Sequence, residues 1–124
     1  MFKLKRLIKS FGYAFSGLAK VFWEEKNFRI HSLIALIVIG LAFYWQIAVW
    51  QMAILILMIA LVLILEIINT IFERLLDLLK PRIHQYVKDI KDMTAAIVFV
   101  GAWAAVLLGI LIFLPYIIRA FIKQ

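Results

Sequence analysis

The sequence predicts an all-α integral membrane protein, with an amphipathic N-terminal helix on the membrane surface followed by three membrane-spanning helices. Three observations lead there. The 124 residues are 67% hydrophobic with a mean hydropathy of +1.06, far outside the range of soluble domains. Apolar runs of roughly membrane-crossing length recur three times. The 14 lysines and arginines flank these runs instead of interrupting them.

Residues 1–27 form the predicted surface helix. Leu4, Leu7, Ile8, Phe11, Phe15, Leu18 and Phe22 recur at steps of three and four, with one adjacent pair, and Lys3, Lys5, Arg6, Lys9 and Lys20 lie alongside. The same pattern also suits a helix packed on a partner protein. The basic start MFKLKRLIKS resembles an export signal. However, no apolar run of signal-peptide length precedes Lys20, so a cleaved signal is not expected.

The first span is expected over residues 29–46, with HSLIALIVIGLAFYW as its body and Tyr44, Trp45 and Trp50 as an aromatic belt. The second covers residues 48–80. Its apolar body, Met52 to Leu65, passes into IINTIFERLLDLLK and stops at Pro81. The third covers residues 87–119. There Gly101, Ala105 and Gly109 recur every fourth residue, a small-residue stripe suited to either an intrachain or an intersubunit seam.

Seven Lys and Arg precede His31, five lie between Phe72 and Met93, and two follow Ile118. Because cytoplasmic flanks carry the excess of positive charge, the N-terminus and second connection are expected inside and the C-terminus outside. The formal charge of +7 is spread over these flanks, which argues against a nucleic-acid surface. The absence of cysteine excludes disulfides, thiolate chemistry and sulfur-ligated metals.

All seven acidic residues, Glu24, Glu25, Glu66, Glu73, Asp77, Asp89 and Asp92, fall near one predicted membrane face. On an α-helix Glu66, Asn69, Glu73 and Asp77 project within an arc of roughly 80°. Glu66 directly follows fourteen apolar residues, and an ionisable group at that depth reads as functional by default. An interhelical hydrogen bond or a solvated helix end is the plainer alternative, with most force for Asp77.

Helical rise separates Glu66 from Glu73 by about 10 Å, so the two serve different roles. Glu66 suits a general base that takes a proton from an interfacial hydroxyl. Glu73, with Glu25 from the surface helix, suits Mg²⁺, a hard ion that takes one or two carboxylates and completes its shell with phosphate and water. In KDIKDMTAA, Lys91 near a helix start suits phosphate, although mixed charge before a span is by itself an ordinary solvated flank. His31 and His84 read as hydrogen-bonded boundary residues. No GxxxxGK[ST] or GxGxxG loop occurs.

The run Glu66-Ile-Ile-Asn69-Thr70-Ile-Phe-Glu73-Arg-Leu-Leu-Asp77, followed by Lys91-Asp92-Met-Thr-Ala95-Ala96, resembles the prokaryotic integral membrane diacylglycerol kinases and their undecaprenol kinase relatives. Glu25, Asn27-Phe28-Arg29, Arg6, Gly12, Tyr13 and Gly17 also fit, so the resemblance spans nearly the whole chain. Phe72 and Arg74-Leu75-Leu76 depart from the commonest pattern, which affects packing near Glu73 but not the ligands.

The resemblance implies a homotrimer in the bacterial inner membrane. Its composite sites bind ATP and Mg²⁺ at the cytoplasmic surface and receive a lipid alcohol from the bilayer. Carried over by position, Glu66 is the base, Glu25 and Glu73 are the metal ligands, and Asn69 positions. Lys91 and Asp92, with Arg6 and Tyr13, belong to the nucleotide site. His31 stands where diacylglycerol kinases tend to carry glutamate, which leans the substrate toward a polyisoprenol. A proton-coupled exporter is the competing reading, but it is expected to show four spans and a solitary acid. A non-catalytic assembly subunit would leave Lys91 and the carboxylate stripe unexplained.

Overall fold

A computed structural model describes residues 2–79 and 84–122. Those residues form four helices, α1 (Phe2–Glu24), α2 (Lys26–Tyr44), α3 (Val49–Leu79) and α4 (His84–Ile122). The last three are long and apolar enough to cross a membrane. The stop expected at Pro81 lies outside the described residues, and so does the side chain of His84 with the role weighed for it.

α1 has no buried residue, and its apolar side chains, including Phe2, Phe11 and Phe15, are exposed. It ends at Glu25, which leaves helical geometry at φ −109° and ψ 110°. Arg29 secures this corner by donating from Nη1 to the carbonyls of Phe22 at 3.0 Å and Trp23 at 2.7 Å. Those carbonyls lie in the last turn of α1, where intrahelical partners run out.

α2 and α3 are joined by a tight hairpin. The amide of Ile47 donates to Ala42 O at 3.2 Å and that of Gln46 to Phe43 O at 3.2 Å, the paired bonds of a Schellman cap. Gln46 takes the left-handed position at φ 49°. Ile47 and Ala42, the two residues such a cap brings together, are both buried. Gln51 then caps α3, its Oε1 accepting from the Ala48 amide at 3.0 Å and from the Tyr116 hydroxyl of α4 at 2.7 Å.

Around this hairpin Ala42, Ile47, Leu55, Ile112 and Phe113 form the apolar core, with Trp45 packed on Phe113 at a ring separation of 5.9 Å. On α3 the buried positions Leu55, Val62, Glu66, Thr70 and Leu76 form one stripe facing the other helices. Most other apolar side chains of the spans are exposed, as expected when lipid is the solvent.

The small-residue stripe of α4 divides. A Cβ at Gly101 would meet Leu65 Cδ1 at 2.5 Å, so Gly101 is an intrachain contact with α3. Ala105 and Gly109 line a cavity of about 320 Å³ between α2, α3 and α4. α4 also begins one turn ahead of Val87, supported by Gln85 Nε2 donating to Asp89 Oδ1 at 3.1 Å.

Candidate active site

The polar residues gather at the end of the bundle opposite the α2–α3 hairpin. Glu66 occupies a core position of the α3 stripe and is only 8% exposed. Burying a carboxylate requires a partner, and the partner is His31 of α2, whose buried Nδ1 lies in contact with Glu66 Oε1. Thr70, buried one turn further on, donates its hydroxyl to the Glu66 carbonyl at 3.0 Å and so spends its own donor on the backbone.

Asn69 and Glu73 are half-buried on the same helix, and Asn69 Nδ2 donates to Glu73 Oε1 at 3.4 Å. The other amide atom, Asn69 Oδ1, is a buried acceptor with no partner among the described residues. Beside Glu73, Arg74 forms an ion pair with Glu24 and lies 3.9 Å from Glu25. This brings the α1–α2 corner, and Glu25 with it, to the segment of α3 that carries Glu73.

At the far end of α3, Asp77 Oδ1 accepts from Lys91 Nζ of α4 at 2.8 Å. Asp92 is exposed and pairs with Lys88 one turn earlier at 3.5 Å. Thr94, also buried, donates to the Lys91 carbonyl at 3.0 Å. The chain therefore gathers Glu66, Asn69, Glu73 and Glu25 toward one region and holds Lys91 and Asp92 at the start of α4. Arg6 and Tyr13 are exposed on α1. Among the described residues, no group of three or more His, Asp or Glu able to hold a metal is gathered.

Sequence reasoning did not foresee two of these residues. Arg74 read as a departure from a family pattern, yet it bridges α3 to Glu24 and Glu25. His31 read as a boundary residue without a known partner. A signal for it exists in the hairpin arithmetic. His31 lies 13 residues before the end of α2 at Tyr44 (44 − 31), and Glu66 lies 17 after the start of α3 at Val49 (66 − 49). At 1.5 Å per residue these correspond to heights of about 20 and 25 Å above one turn, close enough for side chains to meet.

A buried carboxylate paired with imidazole, beside a carboxylate–amide cluster on membrane-crossing helices, defines a polytopic helical membrane protein with a polar site at the end of its apolar spans. The sequence family is also clear. The family model for prokaryotic diacylglycerol kinase matches residues 12–113. The chain is 37% identical over 110 residues to a diacylglycerol kinase of Synechocystis sp., covering 88% of this chain and 63% of that one. It is 34% identical over 113 residues to the undecaprenol kinase of Bacillus subtilis, covering 91% and 92%. Against the diacylglycerol kinase of Escherichia coli K12 it is 29% identical over 102 residues, covering 82% and 84%. The chain belongs to the prokaryotic diacylglycerol kinase family and is a membrane lipid kinase. This membership sets aside the exporter and assembly-subunit readings.

Proposed function

We propose that the protein transfers the γ-phosphate of ATP to the hydroxyl of a membrane lipid alcohol, with Mg²⁺, at the cytoplasmic face of the bacterial inner membrane. The observation that carries this reading is the placement of Glu66, a buried carboxylate at the end of a long apolar stretch, where a lipid hydroxyl and a nucleotide phosphate can both arrive. The hydroxyl gives its proton to Glu66 as its oxygen forms the new bond to the γ-phosphorus, and the bond from that phosphorus to the β-bridging oxygen breaks to release ADP. Such transfer needs mainly positioning and charge neutralisation, which side chains fixed on helices supply.

Glu73 and Glu25 are the groups that would hold Mg²⁺. Two carboxylates fit a hard ion that takes its remaining ligands from phosphate and water, and the Arg74 bridge draws Glu25 toward the segment of α3 that carries Glu73. When bound, Mg²⁺ neutralises charge on the phosphates. Asn69 Oδ1, an acceptor in need of a donor, positions a substrate hydroxyl or a bound water. Lys91 and Asp92 belong to the nucleotide site, with Lys91 supplying positive charge to phosphate.

Arg6 and Tyr13, both exposed on α1, belong to the nucleotide site, and the chain assembles as a homotrimer with composite sites. The surface helix α1 lies in the interface with its apolar residues in lipid. The distribution of basic residues puts the N-terminus inside and the C-terminus outside. Between lipid alcohols, His31, at a position where diacylglycerol kinases tend to carry glutamate, leans the substrate toward a polyisoprenol. Purified protein in lipid, supplied with ATP and either undecaprenol or diacylglycerol, tests the reading. Phosphorylation of undecaprenol at the higher kcat/KM is expected, and ATP consumption with neither lipid refutes it.

A further inference from the structure

We propose that His31 is a positioning residue for Glu66, holding the carboxylate of the base in one orientation through the contact at Nδ1 of its ring. This rests on the reading of Glu66 as the base. With hydrogen on Nδ1, a neutral imidazole donates toward Glu66 Oε1 and leaves the carboxylate able to act as the base. Nδ1 is buried while the side chain as a whole is 30% exposed, so the exposed part of the ring lies away from the carboxylate.

The other polar groups nearby are committed elsewhere. The Thr70 hydroxyl goes to the Glu66 carbonyl and the Asn69 amide nitrogen to Glu73, which leaves the imidazole as the polar side chain in contact with the carboxylate among the described residues. With Oε1 engaged, Oε2 is the oxygen left to take a proton. His31 also lines the interhelical cavity, whose other lining residues, such as Val38, Leu55, Val62 and Phe113, are apolar. The ring therefore marks the polar end of that cavity and stands on the side from which an alcohol within the bundle would approach.

A base that swings out of line loses turnover but not affinity for its substrates. The test uses the assembled protein in bilayer mimic, with kcat, KM for lipid and ATP, melting temperature and oligomer size measured together. His31→Phe keeps a flat ring but removes the donor, and is expected to lower kcat by about 10- to 100-fold with both KM values and the assembly little changed. His31→Asn, whose amide nitrogen falls near the place of Nδ1, is expected to recover most of that loss. In a Glu66→Gln background His31→Phe is expected to have no further effect, since the two act as a unit.

Full turnover in His31→Phe, or an equal loss in His31→Asn, overturns the positioning role while a dead Glu66→Gln leaves the base standing. An active Glu66→Gln overturns the base itself. Should His31→Phe fail to assemble, His31→Met is the second donor-free variant, and the same kcat loss is expected from it.

Discussion

Lys91 Nζ donates to Asp77 Oδ1 at 2.8 Å, tying the last turns of α3 to the first turns of α4 across the 80–83 connection. Asp77 is well exposed, so the pair is worth less than about 1 kcal/mol to folding. On the proposed reading of Lys91 as a phosphate-binding group, the Asp77 carboxylate competes with phosphate for the ammonium. Lys91→Met is expected to raise KM for ATP by about tenfold, equivalent to ~1.4 kcal/mol, with kcat little changed. Asp77→Asn should lower that KM or leave it unaltered, with a small change in melting temperature. An unchanged KM in Lys91→Met would make the pair structural only.

For Glu66→Gln the expected outcome is a fall in turnover of roughly 10²- to 10⁴-fold with nucleotide binding retained. A structural carboxylate would behave differently, because a buried neutral amide costs less than a buried charge and would be tolerated. Lipid phosphorylation and melting temperature measured in the same bilayer mimic separate the two. Most of the turnover surviving would falsify the catalytic role.

Glu73→Gln and Glu25→Gln are expected to weaken the Mg²⁺ dependence of activity while leaving the assembly intact, since each removes one charged oxygen donor. A Mg²⁺ titration of both variants, with oligomer size checked, measures this. Unchanged apparent affinity in both would count against the ligand assignment.

Gln46 sits in the left-handed region at φ 49°, where a side chain costs about 1 kcal/mol that glycine avoids. Gln46→Gly is therefore expected to stabilise the hairpin by about that amount without altering kcat. Thermal unfolding in detergent reads it, and a lower melting temperature would show that Gln46 contributes through its side chain.

Gly101 faces Leu65 so closely that an added methyl lies 2.5 Å from Leu65 Cδ1. That atom is the tip of a flexible side chain. Gly101→Ala is thus expected to be near neutral, Leu65 turning aside while the helix gains up to about 1 kcal/mol of propensity. Gly101→Ile is expected to cost about 1–3 kcal/mol by forcing α3 and α4 apart. Equal melting temperatures for the two variants would mean that the seam is looser than this contact indicates.

Local physics made much of the protein legible in its sequence. Apolar run length defined three helices able to cross a membrane, because a backbone in lipid must satisfy its own hydrogen bonds. Periodicity placed Glu66, Asn69, Glu73 and Asp77 on one face of α3, since 3.6 residues per turn follows from the chain alone. The ExxNT motif pointed to the family whose model matches residues 12–113.

Tertiary structure decided which residues meet across helices. The His31–Glu66 contact depends on how far α2 and α3 rise from a shared hairpin and how each is rotated, and no local pattern encodes either. The bridge from Arg74 to Glu24 and Glu25 depends on the corner at Glu25, which Arg29 secures through carbonyls six and seven residues away. The small-residue stripe likewise divided between Leu65 and the interhelical cavity only once α4 had its rotation against α3. Sequence spacing sets which side chains share a helix face, whereas packing sets what that face touches, because the contact energy belongs to the pair of helices and not to either one alone.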